Sequence, residues 1–154
     1  MAISVAKNTI IENIWKIFYD RVKADVSTVS ITGPHNITIQ NYVAAYSDKM
    51  LSEKSNYPIL VVDSPSISSD YFTGSKDKFE GTIDVEIYTN QSEAADKFLS
   101  AIMDSIETYR NDMRKSGISM VDLDSTENDM VERGRLKIHM RRARFSFEYH
   151  YTKT

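Results

Sequence analysis

The sequence predicts an α+β fold: an antiparallel β-sheet of about four to six strands with two main α-helices packed on one face, a long loop and an extended C-terminal β-ribbon. Three observations predict it. Two stretches, near 8–24 and 90–115, repeat apolar residues at helical spacing. Phe79 to Thr89 alternates apolar and polar residues with the period of a strand. A closing run from Leu136 to Tyr151 is extended in character and outlasts an ordinary strand.

In chain order, the first element is a helix from about Asn8 to Ala24. Ile10, Ile11, Ile14, Ile17, Phe18, Arg21 and Val22 form its stripe, with Glu12, Asn13, Lys16 and Asp20 on the other side and Trp15 at the edge. Val29, Ile31, Ile37 and Ile39 then alternate with Ser and Thr around Gly33-Pro34, the pattern of a short hairpin. Tyr42 to Lys54 is ambiguous, with Ala44, Ala45, Met50 and Leu51 suiting a short helix. Ile59 to Asp63 reads as a well-buried strand entered through Pro58. The following stretch to Lys78, rich in serine, reads as a loop of about fifteen residues, long enough to be mobile or committed to a partner.

In the strand Phe79 to Thr89, Ile83, Val85 and Ile87 face a core, and Thr82, Asp84, Glu86 and Tyr88 form an acidic, exposed face. Asn90 and Glu93 have the spacing of a capping box. The helix they open carries Ala94, Ala95, Phe98, Leu99, Ile102, Met103, Ile106, Tyr109, Arg110 and Met113, and Gly117 stops it. Ile118 to Leu123 is a strand with Ile118 and Met120 on one face, and Asp124 to Asp129 is a polar acidic connection. In the last element the apolar phase changes: Leu136, Ile138 and Met140 are even, Ala143, Phe145, Phe147 and Tyr149 odd. A bulge at Arg141-Arg142 would reconcile the two. Sixteen extended residues reach about 50 Å, more than the domain's own sheet needs, so the tip is expected to project.

The 154 residues suit a single domain spanning the whole chain, 1–154. Apolar residues at 41% can build a core, and no run approaches the length of a membrane span or the apolar stretch of a signal peptide. The expectation is a soluble, unprocessed chain. The absence of cysteine removes disulfides, thiolate metal sites and cysteine nucleophiles. His35, His139 and His150 fall in no metal-binding spacing, and the acidic run Asp122, Asp124, Glu127 and Asp129 lacks the glycine and final glutamate of a calcium loop. Ser64, Ser66, Ser68 and Ser69 sit in no nucleophile motif, and the five glycines form no phosphate loop. Asp84 and Glu86 share one strand face instead of opposing one another across a substrate. No enzyme, cofactor or metal is expected.

The charge is unevenly spread. The formal net charge is -3, yet Arg133, Arg135, Lys137, Arg141, Arg142 and Arg144 place six bases in twelve residues without an acid, leaving 13 bases against 22 acids elsewhere. Three readings stand side by side. The bases pair with Asp84 and Glu86 on a neighbouring strand, meet an acidic surface of another subunit, or contact nucleic-acid phosphates. Tyr71 and Phe72 in the long loop are candidate anchors for a partner or for their own domain.

The layout resembles the tail-terminator and tail-completion (head–tail joining) proteins of long-tailed bacteriophages. The features that carry the likeness are the N-terminal helix, the YPILVVD strand with its loop, KFEGTIDVEIYT running into the second helix, and the closing ribbon RLKIHMRRARFSFEYHY. The resemblance implies a subunit of a hexameric ring at the virion's head–tail junction, assembled in the host cytoplasm. Such a ring caps the tail tube, ends its polymerisation and receives the head connector. Its implied partners are copies of itself, the tail-tube protein, the head-connector or neck protein, and DNA crossing the lumen without sequence recognition; no membrane is implied. A neck or head-completion protein is the near alternative, and a nucleic-acid-binding module the alternative from another class. An acidic patch and a basic ribbon on one subunit suit the two unlike surfaces of a heterologous ring contact.

Overall fold

The computed structural model describes residues 10–31, 37–43, 57–72, 76–133 and 136–152, with the backbone alone at 69–72, 76–77, 131, 133, 151 and 152. Helix α1 (Ile10–Val26) buries Ile10, Ile14, Phe18, Val22 and Val26, one residue per turn, while Ile11 faces out. Helix α2 (Ser92–Thr108) buries Ala94, Ala95, Phe98, Leu99, Ile102 and Ile106. Both stripes close on one face of a six-stranded sheet, in a single cluster with Leu60, Val62, Ile83, Val85, Ile87, Ala143, Phe145 and Phe147. The expected α+β architecture, with its two main helices on one face, is therefore present.

The strands are β1 (Asn41–Val43), β2 (Ile59–Val62), β3 (Ser66–Phe72), β4 (Lys76–Thr89), β5 (Ile118–Arg133) and β6 (Leu136–Thr152). Their order is β1-β2-β4-β6-β5, with β3 also on β4. All neighbours are antiparallel except β1 and β2. β2 and β3 follow one another along β4: Val62 lies opposite Val85, Asp63 N–H donates to the Asp84 carbonyl at 3.0 Å, and Ser66 lies opposite Thr82. The extra residue at Ser64-Pro65 makes the joint a bulge.

The helix pair is tied by polar contacts as well as packing. Arg21 and Ser105 both donate to the Asp25 carboxylate, at 2.7 and 2.5 Å, and the Arg21 guanidinium lies 3.6 Å above the Tyr109 ring. Trp15 Nε1 donates to the Val62 carbonyl at 2.6 Å, fixing α1 on the sheet.

Several expectations are corrected. The stretch after Asp63 is not a long loop, because Ser66–Phe72 pairs with β4 and forms a hairpin with it. Asp124 to Asp129 is not a connection: β5 runs unbroken from Ile118 to Arg133. Within β5 the apolar pattern is displaced by a bulge at Met120, whose φ is +53°. The bulge turns Met120 outward, 64% exposed, and lets Ile118 and Val121 both reach the core.

No capping box forms either. The N-cap is Gln91, Thr89 Oγ1 accepts the Gln91 N–H at 3.3 Å, and Glu93 pairs instead with Lys97. The second helix is interrupted at Tyr109, leaving a short α3 (Arg110–Lys115) that ends, as expected, before Gly117 with φ +100°.

The phase change in β6 needs no bulge. Its register on β4 is continuous from Lys76 opposite Thr152 to Thr89 opposite His139. Ile138 and Met140 are buried on the face away from the helices, in a second cluster with Tyr57, Ile59, Val61 and Tyr88. One end of the sheet is thus apolar on both faces, and the strand remains straight. β6 lies inside the sheet between β4 and β5, so most of the ribbon does not project; its first three residues, 136–138, extend past the paired length of β4. Ile31 and Ile37 exchange backbone hydrogen bonds of 2.9 and 3.0 Å as the expected hairpin requires, while its Gly33-Pro34 turn lies outside the described residues. So does residue 44 onward of the ambiguous stretch; Tyr42 and Val43 are in β1.

Candidate functional site

The antiparallel register places β4 acids directly opposite β6 bases on the open face of the sheet. Asp84 faces Arg144, and Glu86 faces Arg142. Arg144 grips Asp84 with two hydrogen bonds, Nε at 2.8 Å and Nη2 at 3.1 Å, the fork geometry that a guanidinium offers a carboxylate. Arg142 spans three strands' worth of charge: Nε reaches Glu86 at 3.3 Å, Nη1 reaches Glu127 of β5 at 2.7 Å, and Asp84 lies 3.9 Å away. Glu127 is opposite Arg142 in the β5–β6 register, so adjacent pairings assemble one lattice.

Three carboxylates crowd this lattice. Oxygens of Asp63, Asp84 and Glu86 all lie within 4.8 Å of one another. Glu86 is only 5% exposed, so the acidic face is not the solvated one expected. Tyr88, on the same face of β4, donates its hydroxyl hydrogen to the Glu86 carboxylate. Asp63 enters from the end of β2. Burial first, then a hydrogen bond to Glu86 and the charges of Glu86 and Asp84, push its carboxyl up to about 7, against the opposing pull of Arg142. Burial and the same glutamate also raise the Tyr88 hydroxyl. Two guanidiniums shared among four carboxylates leave an excess of negative charge, which a proton on Asp63 reduces.

The donor set does not suit a resident metal. A divalent cation needs several free carboxylate oxygens, whereas Glu86 already accepts hydrogen bonds from Tyr88 and Arg142, and Asp84 from Arg144. A carboxyl near neutrality is also a general-acid candidate in principle. A depression of about 520 Å³ on this face is lined by Ser66, Thr82, Ser146, Met120 and Glu148 and does not include Asp63. The perturbed group belongs to an ion lattice drawn from β4, β5, β6 and the end of β2.

Of the residues singled out in sequence, Asp84, Glu86, Arg142 and Arg144 come together here. Arg141, one residue out of phase, lies on the helix side and pairs with Asp96 of α2 at 2.8 Å. Lys137 is exposed near the free end of the β5–β6 hairpin. Arg133 is the last residue of β5, its backbone opposite Leu136, and Arg135 lies outside the described residues. Tyr71 and Phe72 pair through their backbones with Lys78 and Asp77; their side chains also fall outside what is described. Sequence reasoning did not find Asp63, Tyr88 or Glu127 as members of the cluster. Tyr88 carried a signal, the two-residue step from Glu86; the other two depend on register.

No protein-family model and no curated protein matches the chain. Among solved structures, a chain from "Virion of native gene transfer agent (GTA) particle" is similar to it in fold, with TM-score 0.52 and 8% identity over 92% of this chain and 98% of that one.

Proposed function

We propose that this chain is a structural protein of a phage-type virion, a ring-forming subunit at the head–tail junction. The observation that carries the reading is the fold likeness to a chain of a gene transfer agent particle, which extends over nearly the whole of both chains. In this role a hexamer of the chain caps the tail tube, stops its growth and receives the head connector, with DNA passing through the lumen unread. A neck or head-completion subunit has the same kind of ring and differs in the tube or connector face it meets. The ion lattice supports a scaffold role over a nucleic-acid module, because Arg142 and Arg144 are already engaged by carboxylates.

The test is assembly. Light scattering and negative-stain microscopy of the purified chain, alone and mixed with polymerising tail-tube protein, should give six-fold rings free or on tube ends. A persistent monomer that leaves tube growth unchanged overturns the proposal. Filter binding to duplex DNA across a salt series tests the nucleic-acid alternative, which requires a steep loss of affinity with salt.

A further inference from the structure

We propose that the free edge of β5 is a docking site for a basic, extended segment of a partner protein, added to the sheet as a further strand. β5 pairs with β6 from Ile118 to Arg133 and, among the described residues, with no strand on its other side. All nine side chains from Asp122 to Met130 are exposed. An open edge of this length offers a ladder of backbone donors and acceptors, although the Met130 N–H already donates to the Asp129 carboxylate at 2.8 Å.

The edge borders an apolar groove. A depression of about 320 Å³ lies between α2 and β5, floored by Ile106, Val121 and Phe145 and walled by Met103 and Leu123. Leu123 is 42% exposed and Met130 50%. A strand laid along β5 would bury both backbone edge and groove, inserting one large apolar side chain beside Leu123.

Charge selects the occupant. Asp122, Asp124, Glu127, Asp129 and Glu132 put five carboxylates on β5 without a base between them. Asp104 and Glu107 of α2 add two more at the groove's rim, where Arg110 is already held by Glu107 at 3.2 Å and Asp122 at 3.1 Å. Asp124, Asp129 and Glu132 have no ion pair within 4 Å among the described residues. A second copy's β5 laid on this edge would set carboxylate against carboxylate, which cross-strand pairing disfavours. The same acids favour lysine or arginine on an incoming strand, so they disfavour a β5-on-β5 pairing of two copies and admit a basic strand.

The probe is a synthetic ten-residue peptide alternating lysine with valine and leucine, added to the full-length, ¹⁵N-labelled chain. Two controls accompany it: one with glutamate for lysine, and one with the same charge but proline at two alternate central positions. The expected result is binding of the lysine peptide with slowed amide exchange at alternate residues between 122 and 130. It should exceed the proline peptide by at least about tenfold, because proline removes ladder donors. Leu123→Lys, and separately the surface pair Asp124→Lys/Asp129→Lys, should each weaken binding by about tenfold or more while circular dichroism is unchanged. Equal binding of the proline or glutamate peptide, unaltered exchange along β5, or full affinity in both variants would overturn the proposal.

Discussion

Replacing Asp63 by asparagine should make the fold less sensitive to pH and more stable above neutrality. The carboxyl titrates near 3.8 in an unfolded chain and at about 7 in the native one. A raised native value means that the folded state holds a proton which the unfolded state releases. Stability from this group is therefore complete below about pH 4 and is lost as pH rises towards 7. At about 1.4 kcal/mol per pH unit, the whole difference would correspond to roughly 4 kcal/mol. Asp63 is only half-buried and water screens it, so about 1–2 kcal/mol is the expected size. Asparagine keeps a neutral side chain with an N–H to donate to Glu86 and has no proton to lose. In urea unfolding at pH 4, 5, 6, 7 and 8, wild type and Asp63→Asn should be closest at pH 4, already part at pH 5, and differ by about 1–2 kcal/mol, with the variant more stable, at pH 8. Using the difference between the two proteins cancels the titration of every group they share. Parallel pH profiles, or a variant less stable at pH 8, would refute the shared-proton account.

Arg142→Ala should cost about 3 kcal/mol in urea unfolding, because it strands the buried Glu86 without its cation, while Arg144→Ala at the more open Asp84 should cost clearly less. Gly81→Ala should destabilise by about 2–3 kcal/mol, since a Cβ there would meet the Ser66 carbonyl oxygen at 2.4 Å and Phe147 at 3.1 Å; thermal melts would show it, and an unchanged melting temperature would contradict the close packing of β3 on β4. Met120→Gly should be neutral or stabilising by up to about 1 kcal/mol, because the bulge holds a non-glycine residue at positive φ with an exposed side chain that has little packing to lose.

What could be read from sequence was what the chain encodes locally. α1, α2, β2 and β4 announce themselves through an apolar period that each segment carries alone. β3 and the acidic half of β5 do not: Ser66, Ser68 and Ser69, like Asp124 to Asp129, have weak strand preference and are extended because β4 and β6 offer them backbone partners. The apolar phase change in β6 suggested a bulge because a one-faced sheet was assumed, and Ile138 and Met140 belong to a second cluster on the other face. The site was legible to the same depth. Asp84, Glu86, Arg142 and Arg144 stand out by type and two-residue spacing, but which acid meets which base is a property of register. Asp63 and Glu127 reach the lattice from two further strands, and nothing in their own neighbourhoods marks them.

The lattice also changes where an assembly contact should be sought. Six bases in twelve residues look in sequence like one patch, yet alternation along β6 sends Arg142 and Arg144 to the open face and Arg141 to the helices, and each already has a carboxylate. Reversing Arg141 and Arg142 to glutamate would set new negative charge against Asp96 and against the buried Glu86, so a loss of rings in that variant would report damage to the subunit before it reported anything about the interface. Lys137 is different: it is exposed beyond the end of β4 and has no ion pair among the described residues. If the hairpin end meets a neighbouring subunit, Lys137→Glu should impair ring formation while leaving urea stability within about 0.5 kcal/mol of wild type. Rings that form normally from that variant would remove Lys137 from the subunit contact.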